Sequence, residues 1–210
     1  MATPTKMRAL LALAVCNVLV AAAAQAQHKS FEGARSFAAG RSPVVAVGDF
    51  NGDGVRDFAA VGIRGDAVAV SLGSADGTSP ISRSFATGSV PVSLAIADFN
   101  GDGLSDLVVV NINSNNVSVL LGNGDGTFQA QRTFDVGEAP ASVAVGDFNA
   151  NGVPDLAVSN IYSNKVYVLL GNGDGSFQEA QTFGAGSHPY SAVPLRWATS
   201  MAMDRPTWPQ

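Results

Sequence analysis

The 210 residues carry 17 acidic against 12 basic side chains, a net charge of −5, with one cysteine. That length allows one or two domains. The acidic balance argues against nucleic acid as a partner and toward cations, and one cysteine excludes a disulfide within the chain.

The first 26 residues read as a secretory signal. Lys6 and Arg8 precede an uncharged, mostly apolar run from Ala9 to Ala24, and Ala24-Gln25-Ala26 is a small-residue cleavage site. The run is short for an uncleaved anchor, and no later segment is apolar enough to span a membrane. The mature chain is then expected to begin at Gln27, to be secreted or periplasmic, and to carry a charge of −7 once Lys6 and Arg8 are gone. Cys16 lies inside the signal. An exported chain without disulfides is held by its core or by bound metal.

Past the signal the sequence repeats. Asp49-Phe50-Asn51-Gly52-Asp53-Gly54-Val55-Arg56-Asp57 returns as Asp98-Phe99-Asn100-Gly101-Asp102-Gly103-Leu104-Ser105-Asp106. It returns again as Asp147-Phe148-Asn149-Ala150-Asn151-Gly152-Val153-Pro154-Asp155, each start 49 residues after the last. The stretch Phe31–Phe37 matches Phe177–Phe183, so the last strand of a repeat precedes the first complete one.

Around each loop the chain alternates in short β-rich runs. The first unit, 41–85, has strands at Val44–Phe50, Phe58–Val61, Ala67–Leu72 and Ile81–Phe85, with a turn at Ser74–Gly77. The second, 86–134, has Val92–Phe99, Leu107–Ile112, Val117–Leu121 and Phe128–Phe134. The third, 135–183, has Ser142–Phe148, Leu156–Ile161, Lys165–Leu170 and Phe177–Phe183. No helical period is present in the mature chain. Four short strands per repeat imply an all-β fold, a partial propeller of four-stranded antiparallel blades; a β-solenoid would not need four distinct strands. The organisation is therefore three blades plus fragments over 27–193, with Phe31–Phe37 expected as the outer strand of a closing blade. An incomplete fourth unit starts at 184.

The repeat then stops at an aberrant tail, 194–210, expected to be disordered. Reading its codons two bases later gives an explanation. Trp197-Ala198, Met201-Ala202 and Met203-Asp204 are each forced to encode glycine in that frame. The remaining shifted codons allow Val-Ala-Val-Gly-Asp-Phe-Asn-Gly-Asp-Gly, the repeat itself. The tail thus reads as a fourth acidic loop out of frame.

The loops place oxygen ligands as calcium requires. Side chains at positions 1, 3, 5 and 9, a backbone carbonyl at 7 and a turning glycine at 6 resemble the start of an EF-hand loop, without its glutamate at 12. The candidate ligands are Asp49, Asn51, Asp53, Val55 and Asp57; then Asp98, Asn100, Asp102, Leu104 and Asp106; then Asp147, Asn149, Asn151, Val153 and Asp155. One such loop is as readily an Asp/Asn/Gly turn; three at one period point to metal. The third set, with Asn151 in place of an aspartate, should bind most weakly. A second motif, Gly122-Asn123-Gly124-Asp125-Gly126-Thr127-Phe128, recurs at Gly171–Phe177 and, degraded, at Gly73-Ser74-Ala75-Asp76-Gly77-Thr78. Asn-Gly and Asp-Gly there read as hairpin turns.

These two motifs together resemble FG-GAP/VCBS repeats, the blades of integrin-α-like propellers, over about Phe31 to Ser191. The resemblance implies calcium dependence, an extracellular place, and a role in adhesion or ligand recognition, with the loop positions named above as calcium ligands. It also implies rings usually of seven blades, more than this chain supplies. The expected function is a secreted calcium-binding propeller that binds an extracellular protein or carbohydrate, calcium being mainly structural. Two alternatives stand beside it: a truncated, non-functional fragment of a longer propeller, and a propeller-based polysaccharide lyase or hydrolase. The expectation is no enzyme. After the signal only His28, His188, Lys29, Lys165 and a few tyrosines could move protons, and none recurs at a catalytic spacing.

Resequencing the gene tests the frame. A base inserted or lost ahead of codon 197, with glycine codons in the shifted frame, is expected; an intact frame lacking that nucleotide order contradicts it.

Overall fold

The computed structural model describes residues 44–62, 65–75 and 81–185, all within one compact unit, Ala38–Gln210. The expected signal, the strand at Phe31–Phe37, part of the first unit's turn, the fourth unit after Ala185 and the 194–210 tail lie outside the described residues.

Three four-stranded antiparallel sheets follow one another, each a meander in chain order. The first holds β1 (Val44–Gly48), β2 (Asp57–Val61), β3 (Ala67–Leu72) and β4 (Ile81–Ala86). The second holds β5 (Pro91–Ala97), β6 (Asp106–Asn111), β7 (Asn116–Leu120) and β8 (Arg132–Asp135). The third holds β9 (Pro140–Gly146), β10 (Asp155–Asn160), β11 (Lys165–Leu169) and β12 (Gln181–Gly184). Register repeats with the sequence. Ala95 lies opposite Val108 and Val108 opposite Val119; 49 residues on, Ala144 lies opposite Ala157 and Ala157 opposite Val168. The first strands of successive sheets pack beside one another, as blades do around an axis. The sheets are not closed into a ring. Among the described residues no helix is long and apolar enough to cross a membrane.

The sheets stack through two apolar layers. Leu94, Leu107, Val109 and Leu120 of the second sheet meet Ala59, Val61, Val68 and Val70 of the first. Val108, Val110, Val117 and Val119, on its opposite face, meet Leu156, Val158 and Leu169 of the third. A strand covered on both faces has no solvent side to mark with polar residues, which is why β6 reads Leu-Val-Val-Val without alternation. In β10 the outward pair is Ala157 and Ser159, and both are half-buried.

One aromatic ring fixes each sheet on its predecessor. Phe128 wedges between Phe50 and Phe85 of the first sheet, edge to face, with centroids 5.5 and 5.1 Å away. Phe177 does the same between Phe99 and Phe134, at 5.6 and 5.3 Å. Each such pair contributes about 0.5–1.5 kcal/mol beyond the area it buries. This wedge corrects the expected fourth strands. Regular pairing starts at Arg132 and Gln181; Phe128 and Phe177 make only an isolated bridge, to Gly122 and Gly171, because their rings turn into the neighbouring sheet.

The far ends of the sheets are tied as well. The Ala139 amide donates to Asn115 Oδ1 at 3.0 Å, and the Val90 amide to Asp66 Oδ1 at 3.2 Å, each bond crossing from one sheet's approach to the preceding sheet's turn. Val90 and Ala139 both hold positive φ, 55° and 50°, immediately before a proline. A β-branched residue is strained there, and these bonds help to hold the strain.

Truncating the wedge should therefore cost far more than truncating Phe148, a phenylalanine 45% exposed. Phe128→Ala is expected to lose about 3–5 kcal/mol in urea unfolding, and Phe148→Ala within about 0.5 kcal/mol of nothing. Equal losses would show that the wedge does not carry the stacking.

Candidate metal loops and the brackets beneath them

Each acidic loop joins the first two strands of its sheet, and its side chains order it from within. In the second loop, Asp98 Oδ1 accepts from the Gly101 amide at 2.7 Å and Asp98 Oδ2 from the Gly103 amide at 2.8 Å. Asp102 Oδ1 accepts from the Leu104 amide at 2.8 Å, while Asn100 Nδ2 donates to Asp102 Oδ2 at 2.8 Å. The first loop repeats this set: Gly52 and Gly54 donate to Asp49, Val55 donates to Asp53, and Asn51 donates to Asp53. In the third, Gly152 and Asn151 donate to Asp147 and Val153 donates to Asn151. Positions 1, 3 and 5 thereby share one exposed or half-exposed turn.

Position 9 is placed differently. Asp57, Asp106 and Asp155 are fully buried. Asp106 Oδ2 accepts from the Phe99 amide at 2.8 Å and Oδ1 from the Gly122 amide at 2.7 Å. Asp57 brackets Phe50 and Gly73, at 2.7 and 2.7 Å, and Asp155 brackets Phe148 and Gly171, at 2.8 and 2.8 Å. One carboxylate thus sews the start of the acidic loop to the start of the second motif, 16 residues further on. Each oxygen keeps a lone pair beyond these bonds, so the bracket stands whether or not the carboxylate also touches an ion.

The second motif begins with glycine for want of space. A Cβ on Gly122 would lie 2.5 Å from the Ser105 carbonyl oxygen, and one on Gly171 would lie 2.3 Å from that of Pro154. The later glycines turn the chain, and the Gly126 amide then donates to the Phe50 carbonyl of the preceding sheet at 2.9 Å. Gly175 donates likewise to Phe99, at 3.0 Å. The hairpin read from Asn-Gly and Asp-Gly is therefore also a latch between sheets. Spacing alone could not reveal this, since both partners are distant in sequence.

The electrostatics suit a cation. Burial is the largest single influence on the Asp49 carboxyl and pulls it up, but the amides of Gly54, Gly52, Asn51 and Asp53 together hold it below its ordinary range. In the third loop the Gly152 amide leads the same effect on Asp147. Burial pushes the Asp106 carboxyl up, against its two amide bonds, and the charges of Asp102 and Asp98 push the same way. The donor set is oxygen only, the chemistry hard ions prefer. Among the described residues no three Asp, Glu, His or Cys side chains converge on one point, so a bound ion would rely on amide and carbonyl oxygens as well. The third loop differs by Ala150 at φ 60°, where the other two loops have glycine at 71° and 73°.

A family model described as an FG-GAP-like repeat matches residues 49–109 and again 98–158. The chain belongs to the FG-GAP-like repeat family. Its FG-GAP repeats resemble solved structures of other proteins. An Agrocybe aegerita lectin, studied for its specific recognition of non-reducing terminal N-acetylglucosamine, is 27% identical with a TM-score of 0.50, over 66% of this chain and 37% of its own. BBS1N, solved in complex with ARL6DN, is 16% identical with a TM-score of 0.48, over 67% of this chain and 42% of its own. The V. cholerae biofilm matrix protein Bap1 is 17% identical with a TM-score of 0.34, over 64% of this chain and 20% of its own. The matched region thus spans less than half of each. No curated protein matches the chain.

The bracket can be tested without any metal. Asp106→Asn presents an NH₂ group to one of two amide donors and is expected to cost about 1–3 kcal/mol in metal-free unfolding. An unchanged midpoint would remove the bracket's structural role.

Proposed function

We propose that this FG-GAP repeat protein is a calcium-stabilised binding scaffold, exported from the cell, in which the loops stiffen the blades and another part of the surface meets the ligand. The observation that carries the reading is the recurrence of one oxygen-rich loop, ordered by the same internal hydrogen bonds, at the same place in three successive sheets. Asp49, Asn51, Asp53 and the Val55 carbonyl would hold the first ion. Asp98, Asn100, Asp102 and the Leu104 carbonyl would hold the second. Asp147, Asn149, Asn151 and the Val153 carbonyl would hold the third, with Asp57, Asp106 and Asp155 beneath them. Bound calcium would neutralise the carboxylates that each loop crowds together.

The loop carboxylates are thereby given a binding role rather than a catalytic one, and the reading assigns the chain no enzymatic activity. The ligand is proposed to be an extracellular carbohydrate or protein. The lectin's likeness in fold and sequence supports the carbohydrate arm. Export rests on the leader-like residues 1–26.

Extracellular calcium modules bind at about 10⁻⁴–10⁻³ M. Calcium at about 10 mM is then expected to add roughly 1.4–2.7 kcal/mol per occupied site, read as a rise in melting temperature over a chelator control. Asp102→Asn should reduce that increment and leave metal-free stability nearly unchanged, whereas Asp106→Asn should lower the metal-free value too. A melting curve indifferent to calcium overturns the metal reading.

A further inference from the structure

Asn-Gly and Asp-Gly pairs recur through the repeats, and the fold treats their glycine amides in two ways. In the acidic loops these amides are engaged. Gly52 and Gly54 donate to Asp49, Gly101 and Gly103 to Asp98, and Gly152 to Asp147, at 2.7–2.9 Å. In the second motif the Gly126 and Gly175 amides, which follow Asp125 and Asp174, donate to the Phe50 and Phe99 carbonyls. The Gly124 and Gly173 amides, which follow Asn123 and Asn172, make no hydrogen bond among the described residues. The asparagine side chains divide in the same way. Asn100 is held at both ends: its Nδ2 donates to Asp102 Oδ2 at 2.8 Å and its Oδ1 accepts from the Asp102 amide at 3.1 Å. Asn51 is held likewise by Asp53. Asn123 and Asn172 are exposed, and each side chain is tethered through Nδ2 alone, to Thr127 Oγ1 and Ser176 Oγ at 2.9 Å.

We propose that Asn123 and Asn172 are sites of spontaneous modification, at which asparagine becomes aspartate or isoaspartate while the same dipeptide in the acidic loops is spared. The Gly124 amide nitrogen gives its proton to hydroxide and attacks Asn123 Cγ. The N–Cγ bond forms, the Cγ–Nδ2 bond breaks, and Nδ2 leaves as ammonia with a proton from water. Water then adds to either carbonyl of the five-membered imide and opens it, to aspartate or to isoaspartate. Gly173 and Asn172 react in the same way. Glycine carries no side chain to crowd the attack. A loop amide must first leave its carboxylate, and a bond to a charged acceptor slows that step about tenfold or more. The product matters because the turn is fixed on both sides of Asn123. The Gly122 amide is bonded to Asp106 and the Gly126 amide to Phe50. Isoaspartate adds a methylene to the main chain between these two points, which displaces the latch and the wedge behind it from the preceding sheet.

Incubation of the folded full chain in mildly alkaline buffer with a chelator tests this, read by peptide mass and by enzymatic methylation of isoaspartate. Asn123 and Asn172 are expected to convert at least about tenfold faster than Asn51, Asn100 and Asn151. In urea, where no bond protects a glycine amide, the Asn-Gly sites should converge on one rate. Loop sites that convert as fast as Asn123 and Asn172 in the folded chain overturn the proposal. So does a folded chain in which Asn123 and Asn172 stay unmodified while the unfolded one converts. The melting midpoint should fall as isoaspartate accumulates. Asn123→Ser with Asn172→Ser, shown to be folded by cooperative melting, should hold its midpoint through the same incubation. A natural chain whose midpoint stays fixed while both sites convert overturns the loosening of the latch, and an equal fall in the serine variant does the same.

Discussion

A buried carboxylate that accepts two backbone amides organises each repeat. Asp57, Asp106 and Asp155 receive the amide at the second loop position and the amide of the glycine that opens the second motif. Those amides sit where two strands end and no ladder continues, so burial would leave them unpaired without the carboxylate. The bond also sets distances. It draws the second motif so close to the loop that the opening residue must be glycine. The turn that follows then aims the latch amide and the wedge phenylalanine at the preceding sheet. Loop, turn and stacking are in this way linked to one side chain per repeat.

This linkage accounts for how an acidic chain with no disulfide builds a stack. The apolar layers supply the driving force, since valines on both faces of the middle sheet are removed from water. Direction comes from the wedge, which fits between two rings of the preceding sheet. The latch and the Asn115 bond fix both ends of the contact, so successive sheets are held at top and bottom as well as through the middle. The acidic loops remain outside this framework, on the surface, where carboxylates stay solvated and available to cations.

Much of this was legible from the residues. The 49-residue period located the repeats, turn-forming residues bounded the strands, and β3 at Ala67–Leu72 falls where alternation places it. Positions 1, 3 and 5 lie on one turn tied by its own hydrogen bonds. Three features were hidden because their partners are distant in sequence. Phe128 looks like the first residue of a strand; only the neighbouring Phe50 and Phe85 show it to be a wedge. Gly122 looks like a turn glycine; only the Ser105 carbonyl shows that space, not φ, demands it. Asp106 looks like one more ligand in a regular series, and its burial against two amides is invisible in the spacing. The strained Val90 and Ala139 gave no signal at all, since Asp66 and Asn115, which accept their amides, belong to preceding repeats.

Residue-resolved hydrogen exchange on the metal-free chain, repeated with calcium, tests the bracket most directly. The account predicts that the Phe99 and Gly122 amides, both bonded to Asp106, exchange slowly with and without the ion. The exposed Gly101 and Gly103 amides, bonded to half-buried Asp98, should exchange quickly without calcium and slow markedly with it. Phe99 and Gly122 exchanging as fast as the loop amides in the metal-free chain would contradict the account.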